Sequence, residues 1–127
     1  MEVRRGNIFL VDLNPVVGTE QAGIRPALVI QIDKANAASV HMIIIPFTTR
    51  IREAKLPSHV RIPAGVGGLA EQSVLLCEQI RVIEKRRLVR RTGNIEEEDL
   101  SRVGVALKLI LGLEWTRHES PQALKKA

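Results

Sequence analysis

Apolar residues alternate with polar or oppositely facing ones from the N-terminus. Phe9, Val11 and Leu13 fall on one side and Ile8, Leu10 and Asp12 on the other, which predicts a first strand over residues 5–13. Residues 27–32 are nearly all apolar and predict a second, central strand. Residues 33–39 read as a polar connector. Residues 40–47, rich in isoleucine and closed by Pro46 and Phe47, predict a third strand. Residues 59–62 predict a short fourth strand with exposed basic positions, and residues 63–70 a glycine-rich turn. Residues 73–83 read as one long strand with Val74, Leu76, Glu78, Ile80 and Val82 on one face. Leu75, Cys77, Gln79, Arg81 and Ile83 take the other. An unpaired carboxylate on an apolar face is costly. Glu78 therefore needs either a bulge that re-aims it or a cationic partner, for which Arg25 is one candidate.

Residues 84–89 read as a basic turn or short helix, and 90–94 as a connector or short strand. The helical period is strong only after Ile95. Leu100, Val103, Leu107, Ile110 and Leu111 form the predicted buried stripe. Asn94 fits the N-cap with Glu97 three residues on. Glu96, Glu97, Glu98 and Asp99 suit the positive end of the helix dipole, and Gly112 is a plausible stop. The chain then divides into a domain over residues 1–113 and a polar tail over 114–127. Several short strands followed by one helix predict a mostly β fold, a small barrel or curled sheet with a helix packed on it.

Between the first two strands lies a long loop, NPVVGTEQAGIRP, residues 14–26. Long ordered loops are usually functional. This one carries Thr19, Glu20, Gln21 and Arg25, and Pro26 holds Arg25 extended at the entry to a strand. A fixed guanidinium there suits bidentate phosphate binding. The alternative is a staple in which Arg25 pairs with Glu20.

Charge sharpens the picture. The formal net charge is +5, and it is clustered. Residues 47–93 carry ten basic and four acidic groups, a net +6. A clustered excess makes a binding patch for a polyanion. Having only Phe9, Phe47 and Trp115 as aromatics argues against recognition by rows of stacked rings. Cys77 is the single cysteine and lies in an apolar run, as a small core residue would. No apolar stretch reaches the ~18 residues of a membrane span. With no leader-like segment before the first strand, the expectation is a cytoplasmic protein.

Several chemistries fail on context. Residues 65–70 spell a dinucleotide fingerprint by letters but precede a strand, not a helix. Residues 18–23 have phosphate-loop spacing, but Ile24 and Arg25 stand where Lys and Ser/Thr are required. His41, His59 and His118 are far apart and read as surface or edge residues. No carboxylate cluster has metal-ligand spacing, so neither a metal nor a cofactor is expected.

Three blocks in order carry a family likeness. The first runs from Arg5 and Gly6 through Val11, Asp12, Leu13, Pro15, Gly18, Glu20, Gln21, Gly23 and Arg25 to Val29. The second holds Thr48 and Lys55 to Val60, and the third Ser73, Val74 and Glu78 to Arg81. Together they resemble the MazF/PemK (Kid) family of toxin endoribonucleases over residues 4–113. Asn7 departs from the usual Asp, and Phe9 from the usual Trp or Tyr. The resemblance implies an SH3-like small β-barrel with a C-terminal helix, acting as a homodimer. It implies sequence-specific, metal-independent cleavage of single-stranded RNA to 2′,3′-cyclic phosphate and 5′-OH ends. A cognate MazE-like antitoxin with an acidic C-terminal segment would neutralise it, and any contact with DNA would run only through that antitoxin. By position, Arg25 and Thr48 match the catalytic pair. Glu20, Gln21 and Gln79 match groove residues, with Thr19 beside them. Arg50, Arg52, Lys55 and Arg81 are candidates for the RNA backbone. The rival reading is a non-enzymatic module of the same fold acting on a protein such as gyrase.

Overall fold

The central strands are apolar on both faces, and the chain folds so that both are covered. The computed structural model describes residues 1–14, 23–51 and 56–113. In it, strands β1 (Asn7–Asp12), β2 (Ile24–Val29), β3 (His41–Thr48), β4 (His59–Ile62), β5 (Ser73–Leu76), β6 (Arg81–Glu84) and β7 (Leu88–Asn94) form one sheet. Every pairing is antiparallel, in the order β4-β5-β3-β2-β1-β7, with β6 also on β3. Two α-helices, α1 (Asp33–Ala38) and α2 (Glu97–Ile110), and three short 3₁₀ turns accompany the sheet among the described residues.

The alternation in β1 assigns its residues to two cores. Ile8 joins Leu28, Ile45, Phe47, Leu75, Val103 and Ala106 under α2. Phe9, Val11 and Leu13 join Ala27, Val29, Met42, Ile44, Ile83 and Leu88 on the other face.

The barrel expected from the likeness is an open sheet here, since β4 and β7 are its ends and no pairing joins them among the described residues. The neighbourhood of β7 is already filled. A 3₁₀ turn, Val66–Gly68, lies against it, and Thr92 Oγ1 donates to the Gly67 carbonyl at 2.8 Å.

Residues 73–83 are not one strand. A 3₁₀ turn at Cys77–Gln79 separates β5 from β6. β5 pairs Leu75 with Phe47, whereas β6 pairs Arg81 with Ile44. Continuing the first register would set residue 78 opposite Ile44, so three residues loop out beside β3. That insertion takes Glu78 off the strand face and re-aims it, as bulges do.

The polar stretch after β2 forms α1 rather than a plain connector. Its buried Asn36 bonds the Gln31 carbonyl at 3.0 Å and Asp33 Oδ1 at 3.2 Å, which holds the short helix against the chain.

Helix α2 starts two residues later than the capping pattern predicts. Asn94 is the last residue of β7, opposite Asn7, whose side-chain amide donates to Asn94 Oδ1 at 2.6 Å. Its side chain is therefore spent across strands, and Glu96 takes the N-cap position with no side-chain cap. Val103 and Ala106 are the buried positions, with Leu100 and Leu107 half-buried. Ile110 and Leu111, expected in the stripe, are exposed because the helix extends past the sheet's apolar cover. The helix ends as predicted: the Gly112 N–H reaches the Leu109 carbonyl at 3.3 Å and the Leu113 N–H the Lys108 carbonyl at 2.8 Å.

Cys77 is wholly buried, and its thiol is pushed up to about 12, first by burial and then by the nearby Glu78 charge. Thiolate is the reactive form. A disulfide reagent is expected to label native protein negligibly at pH 8 and one thiol per chain once denatured. Rapid native labelling would contradict the buried position.

Candidate active site

Arg25 is the second residue of β2 and pairs with Val11 of β1. Further along, Ala27 pairs with Pro46 and Val29 with Ile44 of β3. Two residues on, the same register brings Arg25 level with Thr48, the last residue of β3. By alternation Arg25 shares its face with Ala27 and Val29, and Thr48 shares its face with Ile44. Both faces are the one turned away from α2. The sheet thus delivers a guanidinium and a hydroxyl to one rim and one side.

Thr48 is 4% exposed. Its Oγ1 accepts the Arg50 N–H at 3.2 Å, so its own O–H remains able to donate. Arg25 is half-buried, and Arg50, two residues after Thr48, is exposed. Gln79 is half-buried in the 3₁₀ turn that loops out next to β3. Arg81 stands opposite Ile44, four residues back along β3, about 13 Å from the Thr48 level at ordinary strand rise. Thr19, Glu20, Gln21, Arg52 and Lys55 lie outside the described residues, as does the tail 114–127.

The root of the first loop is closed at the same rim. The Leu13 N–H bonds the Gly23 carbonyl and the Gly23 N–H bonds Asn14 Oδ1, both at 3.0 Å. Arg87, which sequence reasoning left as part of a basic turn, donates to the Asp12 carbonyl at 3.2 Å and to the Asn14 carbonyl. A guanidinium with five donors can brace a loop root in this way. Its place in a basic run gave no sign of that use.

Glu78 finds partners other than the candidate suggested by sequence. Ser58 Oγ donates to its Oε1 at 3.0 Å, and His59 Nε2 lies 2.7 Å from Oε2. His59 lies on β4, an end strand of the sheet, so of the surface and edge readings the edge one holds: its side chain is 6% exposed, whereas His41 is exposed as expected. His118 lies outside the described residues. Burial pushes the Glu78 carboxyl up, but hydrogen bonds from His59, its own backbone and Ser58 outweigh it. The net position is below the ordinary value of 4.5. A lowered folded value stabilises the protein above the unfolded value and is lost as pH falls through it. Wild type should thus be more stable than Glu78→Gln at pH 7, and the gap should shrink below pH 4.5. Thermal unfolding of both across pH 3–7 checks this, and a gap that widens in acid would contradict the pairing.

Among the described residues no group of three or more His, Cys, Asp or Glu side chains is placed to hold a metal ion, and no helix is long and apolar enough to cross a membrane. Chemically, the rim offers a fixed positive fork, a hydroxyl donor and basic neighbours, an arrangement suited to an oxyanion.

Comparison with known proteins identifies the fold and the family. Endoribonuclease EndoA of Bacillus subtilis (strain 168) is 45% identical over 113 residues, spanning 89% of this chain and 97% of EndoA. A crystal structure of MazF (Form-I) from Deinococcus radiodurans superposes with a TM-score of 0.77 at 27% identity, covering 88% of this chain and 98% of that one. MazE-MazF (Form-II) from the same organism gives 0.72 at 27%, covering 90% and 99%. A family model for the PemK-like, MazF-like toxin of type II toxin-antitoxin systems matches residues 4–111. With the family match over residues 4–111 and 45% identity to EndoA across nearly the whole domain, this chain belongs to the PemK-like, MazF-like toxin family.

Proposed function

We propose that the chain is a sequence-specific endoribonuclease that cuts single-stranded RNA without a metal, using the 2′-OH beside the scissile phosphate as nucleophile. The observation that carries this reading is the register of β2 on β3, which, extended two residues, brings Arg25 level with Thr48 on one face, in a chain 45% identical to an endoribonuclease. RNA supplies the attacking oxygen, so the protein's work is alignment and charge stabilisation. The 2′-oxygen bonds to phosphorus while the bond to the 5′-oxygen breaks. The proton leaves the 2′-OH and the 5′-oxygen gains one, giving a 2′,3′-cyclic phosphate and a 5′-OH. Arg25 clamps the non-bridging oxygens, and Thr48 donates to a non-bridging or the leaving oxygen. Guanidinium side chains keep their charge in proteins, so the part given to Arg25 is electrostatic. Thr19, Glu20, Gln21 and Gln79 shape the groove. Arg50, Arg52, Lys55 and Arg81 meet the backbone, each adding roughly 0.7 to the salt slope where it neutralises a phosphate.

A MazE-like antitoxin with an acidic segment complements the net +6 of residues 47–93. MazE-MazF structures exist among the chain's structural relatives. In this reading the protein acts in the cytoplasm as a homodimer and meets DNA only through the antitoxin. Val105 and Leu109, 57% and 50% exposed on α2, are available to an interface. Of Ile43 to Ile45, whose apolar run suits either an interface or the core, Ile44 and Ile45 are fully buried core and Ile43 is 36% exposed.

The test uses purified protein, a mixed-sequence RNA and its fully 2′-deoxy counterpart, each in excess EDTA. The RNA alone should be cut, leaving cyclic phosphate and 5′-OH ends. Cleavage of the deoxy strand, or loss of cleavage in EDTA, would overturn the mechanism, and no cleavage at all would overturn the function.

A further inference from the structure

Outside the Arg25–Thr48 pair, one buried polar cluster has no part in either core. Ser58, wholly buried, and His59 both bond the Glu78 carboxylate, at 3.0 and 2.7 Å. Backbone contacts bind the same segments: His59 pairs with Leu76, and the Cys77 N–H reaches the Ser58 carbonyl at 3.3 Å. The His59 N–H also meets the Leu56 carbonyl at 3.0 Å, closing the C-terminal end of the basic loop. Residues 58 and 59 thus hold the three residues that loop out of the β5–β6 edge beside β3. Among the described residues His59 Nδ1 is buried with no hydrogen-bond partner, which suits the tautomer with its proton on Nε2, donating to Glu78.

We propose that His59 and Ser58 are positioning residues that act through Glu78 to fix the Cys77–Gln79 turn, so that the Gln79 carboxamide reads one base of the RNA. Both Glu78 oxygens are engaged within the protein, which suits an anchor rather than a proton acceptor. The adjacent Gln79 carries two donors and an acceptor, the chemistry that distinguishes base edges. Bulged turns beside functional rims are a means of aiming one side chain. The inference rests on the RNA-cleaving reading above and adds a source of its sequence preference.

The experiment sequences the cut ends that wild type, His59→Ala, His59→Gln and Ser58→Ala produce from one random RNA pool. Each is also assayed on the preferred site and its single-base variants. His59→Ala should lower discrimination at one motif position about tenfold or more, with the other positions unchanged. Gln can place its own N–H near the Nε2 position, so His59→Gln should restore most of the discrimination. Ser58→Ala should shift the same position to a smaller extent, and it decides the matter if His59→Ala does not fold. A merely structural role lowers cutting at all sites alike. That pattern, or an unchanged motif in every variant, would overturn the positioning role while wild-type cutting leaves the nuclease reading intact. If wild type cuts no RNA, both readings fall.

Discussion

Arg25→Ala is expected to lower RNA cleavage about 100- to 1000-fold, the usual loss when one well-placed donor to a developing oxyanion is removed. The residue lies at the start of β2, level with Thr48, on the face where the phosphate would sit. Its partner in the ladder, Val11, is held by the core, so removing the guanidinium leaves the strand in place. Thermal unfolding should accordingly move little. Arg25→Lys should recover only a small part of the rate, because an ammonium keeps the charge but loses the planar fork. Thr48→Val, which keeps shape and removes the hydroxyl, should cost less than Arg25→Ala, since it removes a neutral donor rather than a charged one. Single-turnover cleavage of one defined site, with all variants at equal folded concentration, decides the matter. An Arg25→Ala protein that cuts at the wild-type rate would remove the central assignment.

The largest stability loss is expected at Gly68. It has φ +79°, and a Cβ there would sit 2.6 Å from the Thr92 carbonyl oxygen and 3.0 Å from Thr92 Cβ. Two neighbours separate the causes. Gly65 has φ +92° with open space around it, so Gly65→Ala reports backbone strain alone. At Gly93 no positive φ is involved, but a Cβ would meet the Gly67 backbone at 2.7 Å, so Gly93→Ala reports the clash alone. Strain in the left-handed region costs about 1–2 kcal/mol, and overpacking about 1–3 kcal/mol. Gly68→Ala combines both, about 3 kcal/mol, or a melting temperature lower by roughly 10–15 °C. Gly65→Ala should lose about a third to a half of that. Equal melting temperatures for Gly65→Ala and Gly68→Ala would show that the turn does not press on β7 as described.

Those glycines also explain a false signal. Residues 65–70 carry the letters of a dinucleotide fingerprint, and the strand after them ruled that out. Their role is packing: Gly67 and Gly68 let the turn lie against Thr92 and Gly93 at the end of the sheet. The letters were legible, but the strand they touch is more than twenty residues away in sequence.

What lay within reach of local pattern was read from the chain. β4 was predicted with its observed bounds, and β3 within one residue at each end. The alternation in β1 assigned Phe9, Val11 and Leu13 to one core and Ile8 to the other. Cys77 as core and Gly112 as helix stop also followed from sequence. The family likeness named Arg25 and Thr48, and the strand register accounts for their nearness.

Where partners come from distant strands, only the tertiary structure decided. Residues 73–83 look like one strand because their alternation is unbroken, yet β3 takes its two halves in registers three residues apart. Glu78 on an apolar face called for a bulge or a cationic partner; the insertion at 77–79 re-aims it, and it meets Ser58 and His59 because β4 pairs with β5. Asn94 had the chemistry of an N-cap, but Asn7 across the sheet claimed its side chain. Ile110 and Leu111 continued a helical stripe past the part of the sheet, among the described residues, that covers the helix. Periodicity and caps are set by neighbours a few residues apart, so sequence alone determined them. Registers, buried partners and the open edge depend on contacts between distant segments, whose competition is settled only when the whole chain packs.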